Sequence, residues 1–143
     1  EVLNGGRIGI AALAVGLAQG AFEASVRYAR ERRQFGKPLG AHQAIQWKLA
    51  DMSTGIAAAR LLTRHAAEVR GRKEPVTLLA AQAKLFASEV ACRAAEEAVQ
   101  IHGGYGYMKE YPVEKFYRDV KLLTIGEGTS EVQRMIIAKN ILA

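Results

Sequence analysis

The chain has 143 residues, half of them apolar and 24% charged, with a formal net charge of +6. That length suits one domain with a core of its own, and the composition is that of an ordinary globular protein. No run reaches the ~18 apolar residues of a membrane span, and Glu1-Val2-Leu3-Asn4 carries no basic start followed by an apolar stretch, so neither span nor secretory signal is expected. The single Cys92 allows no internal disulfide and fits a reducing compartment, with an inert thiol.

Taken in chain order, the sequence predicts long helices. Ile8, Val15, Phe22 and Ala29 recur every seven residues, and Gly36-Lys37-Pro38-Leu39-Gly40 stops that first helix. Ile45, Leu49, Met52, Ile56 and Ala59 mark the apolar face of a second. Gly71 to Pro75 separates it from a third, with Pro75 in a favoured first-turn position. The third runs through Leu79, Ala83, Phe86, Val90 and Ala94, and Gly103-Gly104-Tyr105-Gly106 ends it. Tyr111-Pro112 opens a short helix to about Leu122, and a last helix starts near Glu131. The first three would each span about 25–30 residues, or ~40 Å. Short connections imply antiparallel neighbours. The expected fold is therefore all-α: an antiparallel four-helix up-down bundle whose last helix is broken by a Gly-Glu-Gly loop. No strand pattern competes, and residues 1–143 read as one domain.

The positive charge suggests an anionic partner. Arg27, Arg30, Arg32, Arg33 and Lys37 form one group, and Arg64, Arg70, Arg72 and Lys73 a second. Both fall near predicted helix ends, where cations suit the C-terminal dipole. No groove-reading motif accompanies them, and Trp47, Tyr105, Tyr107, Tyr111 and Tyr117 do not interleave with basic residues, so no nucleic-acid partner is expected. Trp47 reads as packed. His42, His65 and His102 lack ligand spacing, so no metal is expected.

The most informative segment is Ile125-Gly126-Glu127-Gly128-Thr129-Ser130-Glu131. Glycines on both sides give Glu127 a seat close to backbone, from which a carboxylate can take a proton from a substrate carbon. Capping is the other reading of the same residues: Thr124-x-x-Glu127 and Ser130-x-x-Gln133 both fit a capping box. The helical pattern resumes only at Val132, Met135 and Ile136, which gives the cap to Ser130. Gly103, Gly104 and Gly106 admit two readings as well, a plain helix stop or a close backbone approach to a ligand.

Together these pieces resemble the C-terminal domain of the acyl-CoA dehydrogenase family. The resemblance is carried in order by Gly6-Arg7-Ile8-Gly9-Ile10-Ala11, Arg32-Arg33-Gln34-Phe35-Gly36-Lys37-Pro38-Leu39 and Gln43-Ala44-Ile45-Gln46-Trp47-Lys48-Leu49-Ala50-Asp51-Met52. It continues through Gln100-Ile101-His102-Gly103-Gly104-Tyr105-Gly106, Tyr111-Pro112-Val113-Glu114-Lys115, Arg118-Asp119, Glu127-Gly128-Thr129-Ser130-Glu131 and Gln133-Arg134. Such enzymes oxidise acyl-CoA to trans-2-enoyl-CoA: a glutamate removes an α-proton while hydride leaves the β-carbon for FAD.

The resemblance implies that Glu127 is that base. It implies that Asn4, Gly5, Gly6, Arg7 and Gly128 meet the acyl-CoA substrate. It assigns Arg32, Gln43, Gln100, Ile101, His102, Gly103 and Gly104 to the diphosphate and adenosine half of FAD. Thr129, Ser130 and Glu131 would open a helix whose N-terminus faces FAD phosphate. The resemblance further implies a homodimer or homotetramer with FAD shared between subunits, electron-transfer flavoprotein as partner, and bacterial cytoplasm or mitochondrial matrix as compartment. Departures from the family pattern are few. Gly126 stands where many straight-chain members have tyrosine, and Asn4 where several have aspartate. Gly6 stands where some branched-chain members place the base, which leaves Glu127 as the obvious one. The family's N-terminal helical and middle β domains are absent from these residues, so the chain is expected to be a fragment or isolated domain, inactive alone.

Overall fold

The computed structural model describes residues 2–143. Five helices carry the fold: α1 (Val2–Glu31), α2 (Gln43–Gly71), α3 (Thr77–His102), α4 (Val113–Leu123) and α5 (Ser130–Leu142). The first three are 30, 29 and 26 residues long, as the apolar periodicity predicts. Contacts fix their directions. Arg60 Nη2 of α2 donates to Gln19 Oε1 of α1, and the Arg70 guanidinium lies over Gly5, so α2 runs back along α1. Lys48 pairs with Glu97 while Gly55 faces Val90, so α3 runs back along α2.

It follows that α1 and α3 are parallel, and they pack directly together. Asn4 Nδ2 donates to Thr77 Oγ1 at 3.0 Å at one end, and at the other Tyr28 stacks on His102 with ring centroids 4.1 Å apart. Alanine is the reason. Ala11, Ala14, Ala18 and Ala21 form a buried stripe on α1, continued by Ser25 and Ala29. Ala80, Ala83, Ala87, Ala91, Ala94 and Ala98 form another on α3. Both follow the three-and-four spacing of one helix face. Interaxial distance depends on the side chains between helices, and small ones let the backbones close in.

The short helices finish the core. α4 buries Val113, Val120 and Leu123 against α1 and α3, a burial worth about 1.5–3 kcal/mol per side chain. Phe116 of α4 sits on Gly20 of α1, and α5 packs on α3, where Arg134 pairs with Glu89. By length and composition α1 could cross a bilayer. In this domain 39% of the 18-residue stretch apolar enough to do so is buried: Ile8, Ala11, Ala14, Val15 and Ala18 enter the core, while Leu13 is exposed.

Several expectations need correction. Arg33–Gln34 and Lys37–Pro38 pair as a two-residue antiparallel hairpin, with Phe35 (φ 52°) and Gly36 (φ 78°) as its left-handed turn. So short a ladder has no periodicity to read. α3 begins at Thr77, with buried Val76 as its non-helical cap residue, and Pro75 therefore stands outside the helix. Trp47 is 61% exposed: it lies two residues from both Ile45 and Leu49, on the opposite side of α2. Phe86, beside buried Ala87 on α3, is 37% exposed.

α3 stops where expected, at Gly103 (φ 60°), and a 3-10 turn over residues 103–107 follows. Gly106 is buried there, and a Cβ at this position would stand 2.5 Å from the Val99 carbonyl oxygen. Gly106→Ala is thus expected to destabilise the protein by about 1–3 kcal/mol in thermal or denaturant melts. Gly104→Ala, whose Cβ meets nothing within 4 Å, should melt close to the parent.

Candidate functional site

The loop between α4 and α5 is closed by its own backbone. Gly126 N–H donates to Leu122 O at 2.8 Å, and Ser130 N–H donates to Thr124 O at 3.0 Å. Within it Glu127 (φ 57°) and Gly128 (φ 93°) are successive left-handed residues. For a residue with a Cβ that conformation costs about 1–2 kcal/mol, and something must hold it. Two buried donors do so. Gln133 Nε2, from α5, donates to Glu127 O at 3.2 Å and to Gly128 O at 2.9 Å. Lys84 Nζ, from α3, donates to Gly128 O at 2.7 Å. Both side chains are 0% exposed. Position 128 has to be glycine, because a Cβ would add to its left-handed φ a contact 2.8 Å from Gln133 Nε2.

This arrangement moves the helix cap. Thr129, not Ser130, is the N-cap of α5, and its side chain accepts from Val132 N–H at 3.4 Å. Gln133 completes no capping box with Ser130, because the Ser130 N–H donates to Thr124 O and Gln133 Oε1 has no partner. Thr124 opens no helix: it closes α4, its hydroxyl donating to Lys121 O.

The loop aims Glu127 at α1. A Cβ at Gly6 would overlap the Glu127 carboxyl carbon and oxygens, so the carboxylate rests on bare backbone. Asn4 and Arg7 lie on the same helix. Arg7 is buried, and its Nη1 donates to Asn4 Oδ1 at 2.9 Å. Asn4 is itself buried and tied to Thr77, which gives it a role inside the fold. Three buried side-chain atoms among the described residues lack a hydrogen-bond partner: Arg7 Nε, Ser130 Oγ and Gln133 Oε1. Ser130 and Gln133 stand in the first turns of α5, which the loop leads into, and Arg7 near the start of α1. Glu131 is held below the usual carboxylate range by its own backbone N–H and the Thr129 side chain.

A second cluster lies at the far end of the bundle. Arg32, His102, Gly103 and Gly104 line an open cleft of about 640 Å³ with Tyr28 and Tyr105. The Arg32 guanidinium lies 5.2 Å from the Tyr105 ring centre. Gly103 and Gly104 expose backbone that no neighbouring side chain covers. Ile101 is buried beneath, Gln100 is exposed at the end of α3, and Gln43 is exposed at the start of α2, outside the cleft.

The family model for the acyl-CoA dehydrogenase C-terminal domain matches residues 1–142. The chain belongs to the acyl-CoA dehydrogenase family. Probable acyl-CoA dehydrogenase YngJ of Bacillus subtilis is 59% identical over 140 residues, which is 98% of this chain and 37% of that protein. Acryloyl-CoA reductase (NADH) of Anaerotignum propionicum is 51% identical over 142 residues, 99% of this chain and 36% of that protein. The structure of butyryl-CoA dehydrogenase from Megasphaera elsdenii superposes with a TM-score of 0.98 at 51% identity, over 99% of this chain and 37% of that one. This chain thus spans a little over a third of the length of these relatives.

In this acyl-CoA dehydrogenase domain the two clusters are separated by most of α1, ~36 Å from Arg7 to its far end at 1.5 Å per residue. The sequence reading passed over Lys84, although its trace was visible: one lysine four residues after Ala80, on the face of an alanine stripe. Nothing in the sequence marked Arg70 as the neighbour of Gly5.

Two outcomes follow. In Gly6→Ala the new methyl group displaces only the flexible end of Glu127, so the melting temperature should stay near the parent while a crystal structure shows the carboxylate moved off α1. The second concerns His102, which is buried and whose Nδ1–H donates to Ala98 O at 2.7 Å. Burial pushes its imidazole below the usual value, so the folded protein binds that proton less readily than the unfolded chain. Its contribution to stability is complete above about pH 6.5 and is lost as pH falls through the folded value. Melting of parent and His102→Phe at a series of pH values should show a weaker acid slope in the variant.

Proposed function

We propose that this domain supplies the catalytic base, and part of the cofactor and CoA sites, of an FAD-dependent acyl-CoA dehydrogenase. The observation that carries the reading is Glu127: a carboxylate on a strained, doubly anchored turn, resting on a glycine of the core helix. Strain at a charged residue held from two helices suits a group that has to be placed for chemistry.

Glu127 removes the α-proton of the acyl-CoA thioester and holds it as a neutral carboxylic acid. Among the described residues its backbone N–H has no acceptor in the chain, which leaves it to donate to the thioester oxygen as enolate charge grows. Gly6 lies against the carboxylate, and with Asn4, Gly5 and Arg7 beside it on α1 and Gly128 next in the loop it is assigned to the substrate side. Glu127 is exposed in this chain, so the desolvation that strengthens a carboxylate as a base comes from bound substrate and from parts of the enzyme outside these residues.

FAD fits the far cleft on the chemistry of its donors. Arg32 offers fixed charge, and Gly103 and Gly104 offer uncovered backbone, for a diphosphate and its adenosine, with Ile101 and His102 in the cleft lining and Gln43 and Gln100 assigned to the same cofactor half from outside it. Near the loop, Ser130 Oγ is buried without a partner at the start of α5, beside Thr129 and Glu131. When bound, FAD accepts the β-hydride. The family resemblance implies that the cofactor is shared between copies of the chain, in a homodimer or homotetramer, with electron-transfer flavoprotein as electron acceptor.

The acryloyl-CoA reductase relative favours a second direction of use. The same carboxyl group would then give its proton to the α-carbon of an enoyl-CoA. One experiment addresses both directions: anaerobic titration of the complete flavoprotein with acyl-CoA esters, read in the visible spectrum. The parent should bleach, and Glu127→Gln should bleach slower by about 10²–10⁴-fold. Equal bleaching would place the base elsewhere, and absence of flavin from the complete protein would leave only a helical assembly module.

A further inference from the structure

We infer that Lys84 is a positioning residue for the base: its buried ammonium pins the Gly128 carbonyl and so fixes where the Glu127 carboxylate points. The inference rests on the reading of Glu127 as the base. Lysine is almost never fully buried unless paired, yet Lys84 is 0% exposed and has no ion-pair partner among the described residues. Its hydrogen bond goes to one neutral acceptor, Gly128 O. Burial holds its pKa down, with Glu131 opposing and the Arg7 charge reinforcing.

That carbonyl is an unusual target. Gln133 Nε2 reaches it from α5 and Lys84 Nζ from α3, so both oxygen lone pairs are engaged from separate helices. The peptide held this way joins Gly128 to Thr129. Its orientation is coupled to the left-handed φ of Gly128, and through the preceding peptide to that of Glu127. Gln133 steadies the Glu127 carbonyl as well. With α3 packed against α1, Lys84 ties the loop to the helix pair that carries Gly6, the surface on which the carboxylate rests.

A methionine would fill the same space without burying an ammonium, whose desolvation opposes folding. What lysine adds is therefore direction, not stability. No carboxylate of Glu127 bonds to it, so the effect travels through backbone.

The test uses the complete FAD-loaded protein as Lys84→Met and Lys84→Gln, beside Glu127→Gln. Lys84→Met should keep its flavin and its melting temperature, or melt higher. Its kcat should fall by about 10–100-fold, the scale of a displaced catalytic group, with KM little changed. The pKa read from its kcat–pH profile should match the parent, since the ammonium does not touch the base. Amide exchange at residues 126–130 should quicken. Lys84→Gln, which retains a donor, should recover part of the rate, and it decides the matter if Lys84→Met does not fold. Unchanged kcat and exchange would overturn the inference. So would a loss of rate that merely follows lost flavin or lost stability, or a shifted pKa, which would mean direct electrostatics. Should Glu127→Gln remain active, the base reading falls, while quickened or unchanged exchange in Lys84→Met still decides whether lysine pins the loop.

Discussion

The close approach of α1 and α3 is the constraint on which the rest of this domain depends. Two parallel helices with alanine between them leave no slack: their registry is set at one end by Asn4 on Thr77 and at the other by Tyr28 on His102. Each fastening also builds a site. The first brings Gly6 and Arg7 beside the α4–α5 loop. The second raises Gly103 and Gly104 at the edge of a cleft walled by Arg32 and Tyr105. Interiors packed to this density transmit position faithfully, so each site inherits its geometry from the seam.

Against that rigid pair, the loop holding Glu127 is the strained element. Its left-handed residues are unfavourable alone and persist because α3 and α5 each send a buried donor into it. Orphaned polar atoms on Arg7, Ser130 and Gln133 collect around the same loop, whereas the alanine seam leaves little polar to satisfy. The domain thus separates its tasks: stability sits in the apolar middle, and unsatisfied or costly groups sit where chemistry is proposed.

Helix number, lengths and order were legible because alanine-rich amphipathic stretches and glycine breaks are strong local signals, and Met52, Ile56 and Ala59 are buried as their spacing implies. The direct α1–α3 pairing was not, since periodicity shows that a face is buried without showing against what. The same limit explains Trp47, whose size suggested burial while its angular place on α2 put it outside. At the site, Glu127 and its glycines stood out from neighbouring residue types alone. Lys84 and Arg70 did not, because their partners Gly128 and Gly5 lie 44 and 65 positions away and only the fold joins them. The cap of α5 passed from Ser130 to Thr129 because loop closure draws the Ser130 N–H to Thr124 O, which the local motif does not show.

On the proposed reading, α1 is a rod of fixed length with the proton-transfer surface near Gly6 at one end and the diphosphate-binding surface near Arg32 just past the other. On the proposed shared-cofactor arrangement, every chain works half for one centre and half for its neighbour's. A defect at one end and a defect at the other then reside in separable functions. Mixed oligomers built from two inactive parents, one damaged at Glu127 and one at Arg32, would collect both lesions in one centre and leave another whole. Two silent alleles could in this way restore activity to each other, a genetic behaviour that follows from the length of a single helix.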